Sequence, residues 1–386
     1  MLANLLEGLF NGISIGAVLL LAALGLAIVF GLMGVINMAH GELIMLGAYT
    51  TFVVQNVFKG LGSPWSDFYI LFALIAAFIV TALVGVLLER TVIRFLYGRP
   101  LETLLATWGV SLILQQFIRS VSGQFVIGVG LFCALFFGAI AVISRRADYE
   151  RIQAWAIGLL LPLSALIAFF ASKIAGDAFK LAVTKPWFGT QGVDVTAPKW
   201  LRGGLSLGTS TLPYTRLFII ALTIICLLGI YWFLNKTVWG LRIRSVTQNR
   251  GMSACLGIPT QKVDAITFAI GSGLAGVAGV AVALLGSVSS NTGQAYIVDT
   301  FMVVVIGGVG KLVGSIMAAG AIGILSYVIG SNAFGPLFSG SPFMTSVVEF
   351  FATASMAKVV VFALIVVFLQ FRPAGLFPQK GRTVEA

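Results

Sequence analysis

The sequence predicts an all-α, polytopic membrane protein, and three observations carry that prediction. Hydrophobic residues fill 59% of the 386 positions and charged residues only 10%. The mean hydropathy is +1.04, far outside the range of soluble domains. Apolar runs of membrane-spanning length recur from end to end, and a backbone inside hydrocarbon must satisfy its own hydrogen bonds, which favours helices. The formal charge of +11 sits in short loops between those runs. There Lys and Arg act as topology signals, so the charge argues for membrane orientation and against nucleic-acid binding. One integral membrane unit over residues 1–386 is expected.

About eleven apolar segments can be placed. They centre on 12–31, 41–57, 68–88, 104–118, 126–143, 154–170, 217–234, 263–285, 299–310, 312–328 and 358–370. Crossing the hydrocarbon takes roughly 20 helical residues. The second, fourth and ninth segments look short for that and read as half-spans or re-entrant pieces. The first run lacks a basic leader and a clear cleavage site, so it reads as a retained span. Gly8, Gly12 and Gly16, then Ala275 and Gly279, then Gly310 and Gly314 repeat at four-residue spacing. That spacing lets transmembrane helices approach closely.

Orientation follows from the short loops. Arg90, Arg94 and Arg99 form one basic group and Arg145, Arg146 and Arg151 a second. Lys236, Arg242, Arg244, Arg250 and Lys262 form a third, and Arg372, Lys380 and Arg382 a fourth. All four fall on the cytoplasmic side if the N-terminus is outside and the C-terminus inside. The 172–214 loop must then be extracytoplasmic despite its own lysines. Pro186, Trp187, Gly189, Pro198 and Trp200 suggest a small ordered cap there; an inert surface loop fits as well.

The stretch GVINMAHGELIMLGAYT at 34–50 places Asn37, His40 (the one histidine) and Glu42 between two apolar runs. Ionisable groups at such a depth must face protein or a water-filled path. Flanking glycines permit a broken helix whose freed backbone groups bind a polar solute. A structural polar lock between helices is the competing reading. A second glycine-broken region, 292–314, lies in the opposite half. Paired interrupted helices point to a transporter's central site, and an inverted repeat of the two halves is a candidate arrangement.

Other motif matches carry no chemistry. Gly12-Ile13-Ser14-Ile15-Gly16 copies a hydrolase elbow without its strand-turn-helix frame. Residues 271–276 copy a dinucleotide fingerprint inside an apolar helix. No GxxxxGK[ST] phosphate loop occurs. Cys133, Cys226 and Cys255 show no metal-ligand spacing, and no metal site is expected. The polar stretch WGLRIRSVTQNRGMSACLGIPTQKV, at 239–263, contains a short apolar ridge closed by Gly257 and Pro259. It reads either as a one- to two-turn helix that docks on a partner or as a solvated loop.

Two stretches, GLMGVINMAHGELIMLGAYT and NRGMSACLGIPTQKVDAITFAIGSGLAGVAG, resemble the membrane permease subunits of branched-chain amino acid ABC transporters. SVSSNTGQAYIVDTFMVVVIGGVGKLVGS and the tail RPAGLFPQKGRTVEA resemble the urea permeases of that family more closely. The likeness covers residues 1–120 and 215–386; residues 125–170 look like an inserted helical hairpin. The resemblance implies a cytoplasmic coupling region at 235–262, in which Arg244, Arg250, Ala254, Leu256 and Gly257 seat on an ATPase. It also implies a second homologous permease, two ATP-binding cassette subunits and an extracytoplasmic solute-binding protein. ATP would be bound by the partner, with no cofactor in this chain and no enzymatic activity of its own.

The expected function is thus the permease subunit of an ATP-driven importer in the inner membrane, for urea in the first reading. Urea needs oxygen acceptors for its N–H groups and a donor for its carbonyl. Asn37, His40, Glu42, Tyr49, Thr50, Gln115, Gln294 and Asp299 supply a path of that character. A branched-chain amino acid is the alternative cargo; its carboxylate would want a donor set or a half-helix N-terminus. A stand-alone urea or amide channel is the alternative from another class.

Overall fold

A computed structural model describes residues 2–62, 65–143, 149–178, 187–188, 192–207, 210–331 and 350–377. All eleven expected apolar segments are helices: α1 (Leu2–Met33), α2 (His40–Leu61), α3 (Trp65–Thr91), α4 (Pro100–Ser120), α5 (Gly123–Ile143), α6 (Tyr149–Ala178), α7 (Tyr214–Lys236), α10 (Thr260–Leu285), α11 (Thr292–Gly307), α12 (Leu312–Gly330) and α13 (Ala354–Phe371). Two further helices, α8 (Val238–Gln248) and α9 (Arg250–Cys255), fill the polar stretch between α7 and α10. Among the described residues six helices are long and apolar enough to cross a membrane, namely α1, α3, α4, α7, α10 and α12. The chain is an all-α polytopic membrane protein.

Several sequence boundaries need correction. The fourth segment is no half-span: α4 has 21 residues, because Pro100 and Glu102 start the helix before its apolar run. The second extends to 22 residues. The ninth begins at Thr292, not 299, and is short at 16 residues; polar first-turn residues hid its start. The loop expected from 172 begins later, since α6 runs through Lys173 to Ala178. Arg145 and Arg146 lie outside the described residues, as do Lys380 and Arg382.

The chain forms two compact units. The second, Ile113–Val193, encloses the expected hairpin, and α5 and α6 pack on each other within it. The first contains everything else. Its centre is α1 and α10, whose apolar windows are 83% and 78% buried, against 28% for α3 and 22% for α7 on the periphery. Small residues make that centre dense. A methyl group added at Gly12 would lie 2.9 Å from the Ile324 Cα, and one at Gly16 would lie 2.8 Å from the Ala319 carbonyl, so α1 and α12 touch backbone to backbone.

Exchanging α1 with α10, α2 with α11 and α3 with α12 maps the packing of this unit onto itself. Thus α1 lies on α12 as α10 lies on α3; α2 lies on α10 as α11 lies on α1; and α2 lies on α3 as α11 lies on α12. The exchanged helices run in opposite directions. Leu32, near the end of α1, packs with Val263, near the start of α10, while Gly8 and Gly12 of α1 meet Tyr327 and Ile324 of α12. This is the packing of an inverted repeat.

The unit has two distinct ends. At one, residues 194–207 and 210–213 form an ordered cap. Gln55 Nε2 donates to the Thr196 carbonyl at 2.7 Å and Tyr69 Oη to the same carbonyl at 2.8 Å. Trp200 Nε1 donates to the Asp67 carbonyl at 2.7 Å. The cap includes a two-stranded antiparallel ribbon, Gly204–Leu207 with Ser210–Pro213, the only paired strands among the described residues. At the other end lie α8, α9 and the turn after α3.

Candidate translocation site and coupling region

Helix α1 stops at Met33, where Gly34 takes a φ of 68° that favours glycine. Residues 34–39 then double back. His40 starts α2 with its Nε2 3.1 Å from the Ala22 carbonyl. Ala22 lies eleven residues before Met33 (33 − 22), which is about 16 Å along the helix axis. So α2 begins deep in the unit and runs toward the cap. Helix α11 begins at the same depth from the opposite direction: Gly41 of α2 packs on the Gly293 carbonyl, and a methyl group at Gly293 would lie 2.7 Å from the Gly41 carbonyl. The two helix starts carry a four-residue echo, Ala39-His40-Gly41-Glu42 against Asn291-Thr292-Gly293-Gln294. Four residues are too few to stand out in sequence, and only the packing shows their equivalence.

The polar groups around this meeting are almost sealed: Asn37 is 2% exposed, His40 1% and Glu42 1%. Glu42 Oε1 accepts from Ser111 Oγ at 3.0 Å. A side chain at Gly293 would come within 2.7 Å of Glu42 Oε2. Asn37 Oδ1 accepts from the Ala39 amide, and the Met38 amide donates to Thr107 Oγ1, both at 3.1 Å. Helix α4 therefore holds the start of α2 through Thr107 and Ser111, neither of which was singled out from sequence. Among the described residues Asn37 Nδ2 and His40 Nδ1 are buried with no partner; orphans of this kind are rare in a settled core and cluster at functional sites.

The remaining candidate path residues differ in their surroundings. Tyr49 is buried on α2, one side of the same helix. Thr50 spends its hydroxyl on the Leu46 carbonyl of its own helix, at 2.7 Å. Gln294 is exposed at the start of α11. Asp299 pairs with Lys358 of α13 at 3.2 Å and, with Tyr296 and Tyr327, lines a cavity of about 390 Å3. Gln115 belongs to the other unit.

At the far end the polar stretch is a helix-break-helix. Thr237 caps α8 by accepting from the Gly240 amide at 3.1 Å, and Asn249 caps α9 by accepting from the Met252 amide at 2.9 Å. Gly257 closes α9 with a φ of 80°. Its amide donates to the Ala254 carbonyl and that of Ile258 to the Ser253 carbonyl, the paired bonds of a Schellman turn. Met252 and Leu256 stand 60% and 76% exposed, with Ala254 and Cys255 also outward. Arg244 reaches Asn235 at 3.4 Å. Arg250 turns inward to Asp264 at 2.5 Å.

Two helices that begin at mid-depth and meet by their N-termini inside an inverted repeat, with an apolar knob on a basic end, define a membrane transport protein of the permease class. The chain belongs to the family described as "Branched-chain amino acid transport system / permease component", whose model matches residues 8–369. It is 25% identical over 373 residues to the high-affinity branched-chain amino acid transport system permease protein BraD of Pseudomonas aeruginosa, covering 96% of this chain and 95% of that protein. It is 25% identical over 321 residues to the permease protein LivH of Salmonella typhimurium, covering 83% and 84%. No solved structure matches.

Proposed function

We propose that this chain is the permease subunit of an ATP-driven importer and that its cargo is a branched-chain or similar amino acid. The observation that carries the reading is the meeting of α2 and α11. Helix N-termini present free amides and the positive end of the helix dipole, which suit a carboxylate, while Glu42 beside them suits an ammonium group. Both charges of a zwitterion thus find complements within one turn of Gly41 and Gly293. The names of the relatives support the same cargo. Urea, the first reading of the sequence, keeps one specific support: Asn37 Nδ2, a buried donor without a partner among the described residues, suits a neutral carbonyl.

Because the site is sealed, passage requires α2 and α11 to part. The drive comes from outside the chain, through the exposed ridge of α9 seated on an ATP-binding cassette subunit at the cytoplasmic face. The 194–213 cap then faces the other side, toward a solute-binding protein, and a second homologous permease completes the membrane part in the inner membrane. Reconstituting the complex in proteoliposomes with leucine or urea tests this. ATP-dependent accumulation of leucine supports the cargo reading; accumulation of urea alone replaces it; uphill movement by this chain without an ATPase defeats the importer reading.

A further inference from the structure

Beneath the end of α1, a cavity of about 230 Å3 is walled by Leu32, Met33, Tyr97, Val263, Asp264 and Thr267 and closed by Arg250. Three elements meet over it. Arg250 opens α9, Asp264 sits in the first turns of α10, and Tyr97 lies in the turn after α3. Arg250 Nη2 holds Asp264 Oδ2 at 2.5 Å, and its guanidinium carbon lies 4.6 Å from the Tyr97 ring centroid. Tyr97 Oη reaches back toward Glu89 Oε1 of α3 at 3.5 Å. Burial, with Asp264 and Glu89 nearby, holds the Tyr97 phenol above its usual range, so it remains a donor. The Asp264 side chain is 5% exposed and Glu89 1%, whereas the Arg250 side chain is 45% exposed. The cation therefore closes Asp264 from the outside, and water can replace it.

We propose that Arg250, Tyr97 and Asp264 form an inner latch, in which Arg250 is the positioning residue through which α9 moves α10 and α3, and that withdrawing Arg250 opens the cavity below α1. This rests on the coupling role proposed for α9. The same six-residue helix carries an outward ridge, Met252 and Leu256, for a partner and an inward cation for the membrane helices. Only a planar guanidinium both pairs with a carboxylate and stacks on a ring. A buried carboxylate stripped of its cation is strongly disfavoured, so the latch has two arrangements, shut on Arg250 or open to water, with little in between.

The test uses the whole transporter in proteoliposomes and reads three quantities: ATPase co-purification, ATP hydrolysis, and solute moved per ATP. Asp264→Asn is expected to retain the ATPase and its hydrolysis while solute moved per ATP falls about tenfold, and Arg250→Gln to lose the same coupling. Arg250→Lys, which keeps the pair without the stacking, should fall between, and the exchange Arg250→Asp with Asp264→Arg should recover part of the loss. Normal coupling in Asp264→Asn overturns the latch. Loss of the ATPase in Arg250→Gln alone also overturns it, by making Arg250 a docking contact. If Met252→Glu with Leu256→Glu leaves ATPase binding intact, the coupling role of α9 itself fails.

Discussion

Gly41 and Gly293 pack backbone to backbone at the meeting of α2 and α11, each in the space a side chain on the other would need. The contact joins the two halves of the inverted packing at its centre, beside Glu42. Alanine at Gly293 would press on both the Gly41 carbonyl and the Glu42 carboxylate. Overpacking of this kind costs roughly 1–3 kcal/mol. Gly293→Ala should lower the unfolding midpoint of the purified complex and slow uptake; an unchanged midpoint with full uptake would show that the two helices already move apart freely.

Ser111 Oγ donates a hydrogen bond to Glu42 Oε1 at 3.0 Å. Ser111→Ala removes it and should destabilise the folded chain by about 1–3 kcal/mol. Thermal unfolding in detergent measures this, and no change would mean that Ser111 is not what holds the carboxylate.

Glu42→Gln keeps the shape of the side chain and removes its negative charge. If that charge balances a substrate ammonium, leucine uptake should fall about tenfold, the equivalent of one charge-assisted hydrogen bond, with little change in unfolding temperature. Urea uptake, if present, should change far less. Uptake kinetics for the two solutes in one variant decide whether Glu42 acts on the cargo.

Gly257 has open space around it but a φ of 80°. Gly257→Ala should therefore cost about 1–2 kcal/mol through the backbone alone, and Gly257→Asn, which tolerates that region better, clearly less. ATPase co-purification and hydrolysis should follow the same order, alanine worst. Equal loss in both would point to a direct contact at that position.

Tyr69→Phe deletes one of the bonds that fasten the cap at Thr196. A loss of about 1 kcal/mol corresponds to roughly fivefold more opening of the cap. Limited proteolysis within 194–213 should speed up accordingly, while cleavage elsewhere stays unchanged.

The helices were readable in the sequence because hydrocarbon imposes one solution on long apolar runs. Where polarity interrupted a helix, the reading failed: α11 starts in Thr292-Gly293-Gln294, and α8 was read as part of a polar stretch. His40, Glu42 and Asn37 were readable as buried because charge is costly at that depth. Their partners were not, since Thr107 and Ser111 are distant in sequence. A signal did exist: Thr103, Thr107, Ser111 and Gln115 are spaced by four on α4 and all buried, one polar stripe on an apolar helix. Arg250 carried the opposite lesson. A basic residue in a basic loop looks like surface, and nothing in the sequence announces that Asp264 and Tyr97 are waiting for it.

The depth of α1 bears on how the chain is made. It leaves the ribosome ahead of the other described helices, yet 83% of its apolar window is covered, largely by α10, α11 and α12, which are translated more than two hundred residues later (260 − 33 = 227). Until they arrive, α1 must be sheltered by lipid, by a chaperoning insertase or by provisional neighbours, and the carboxylate of Glu42 by protein or water. A ribosome stalled before α10 would therefore leave a nascent chain that quality-control proteases can tell from the finished one.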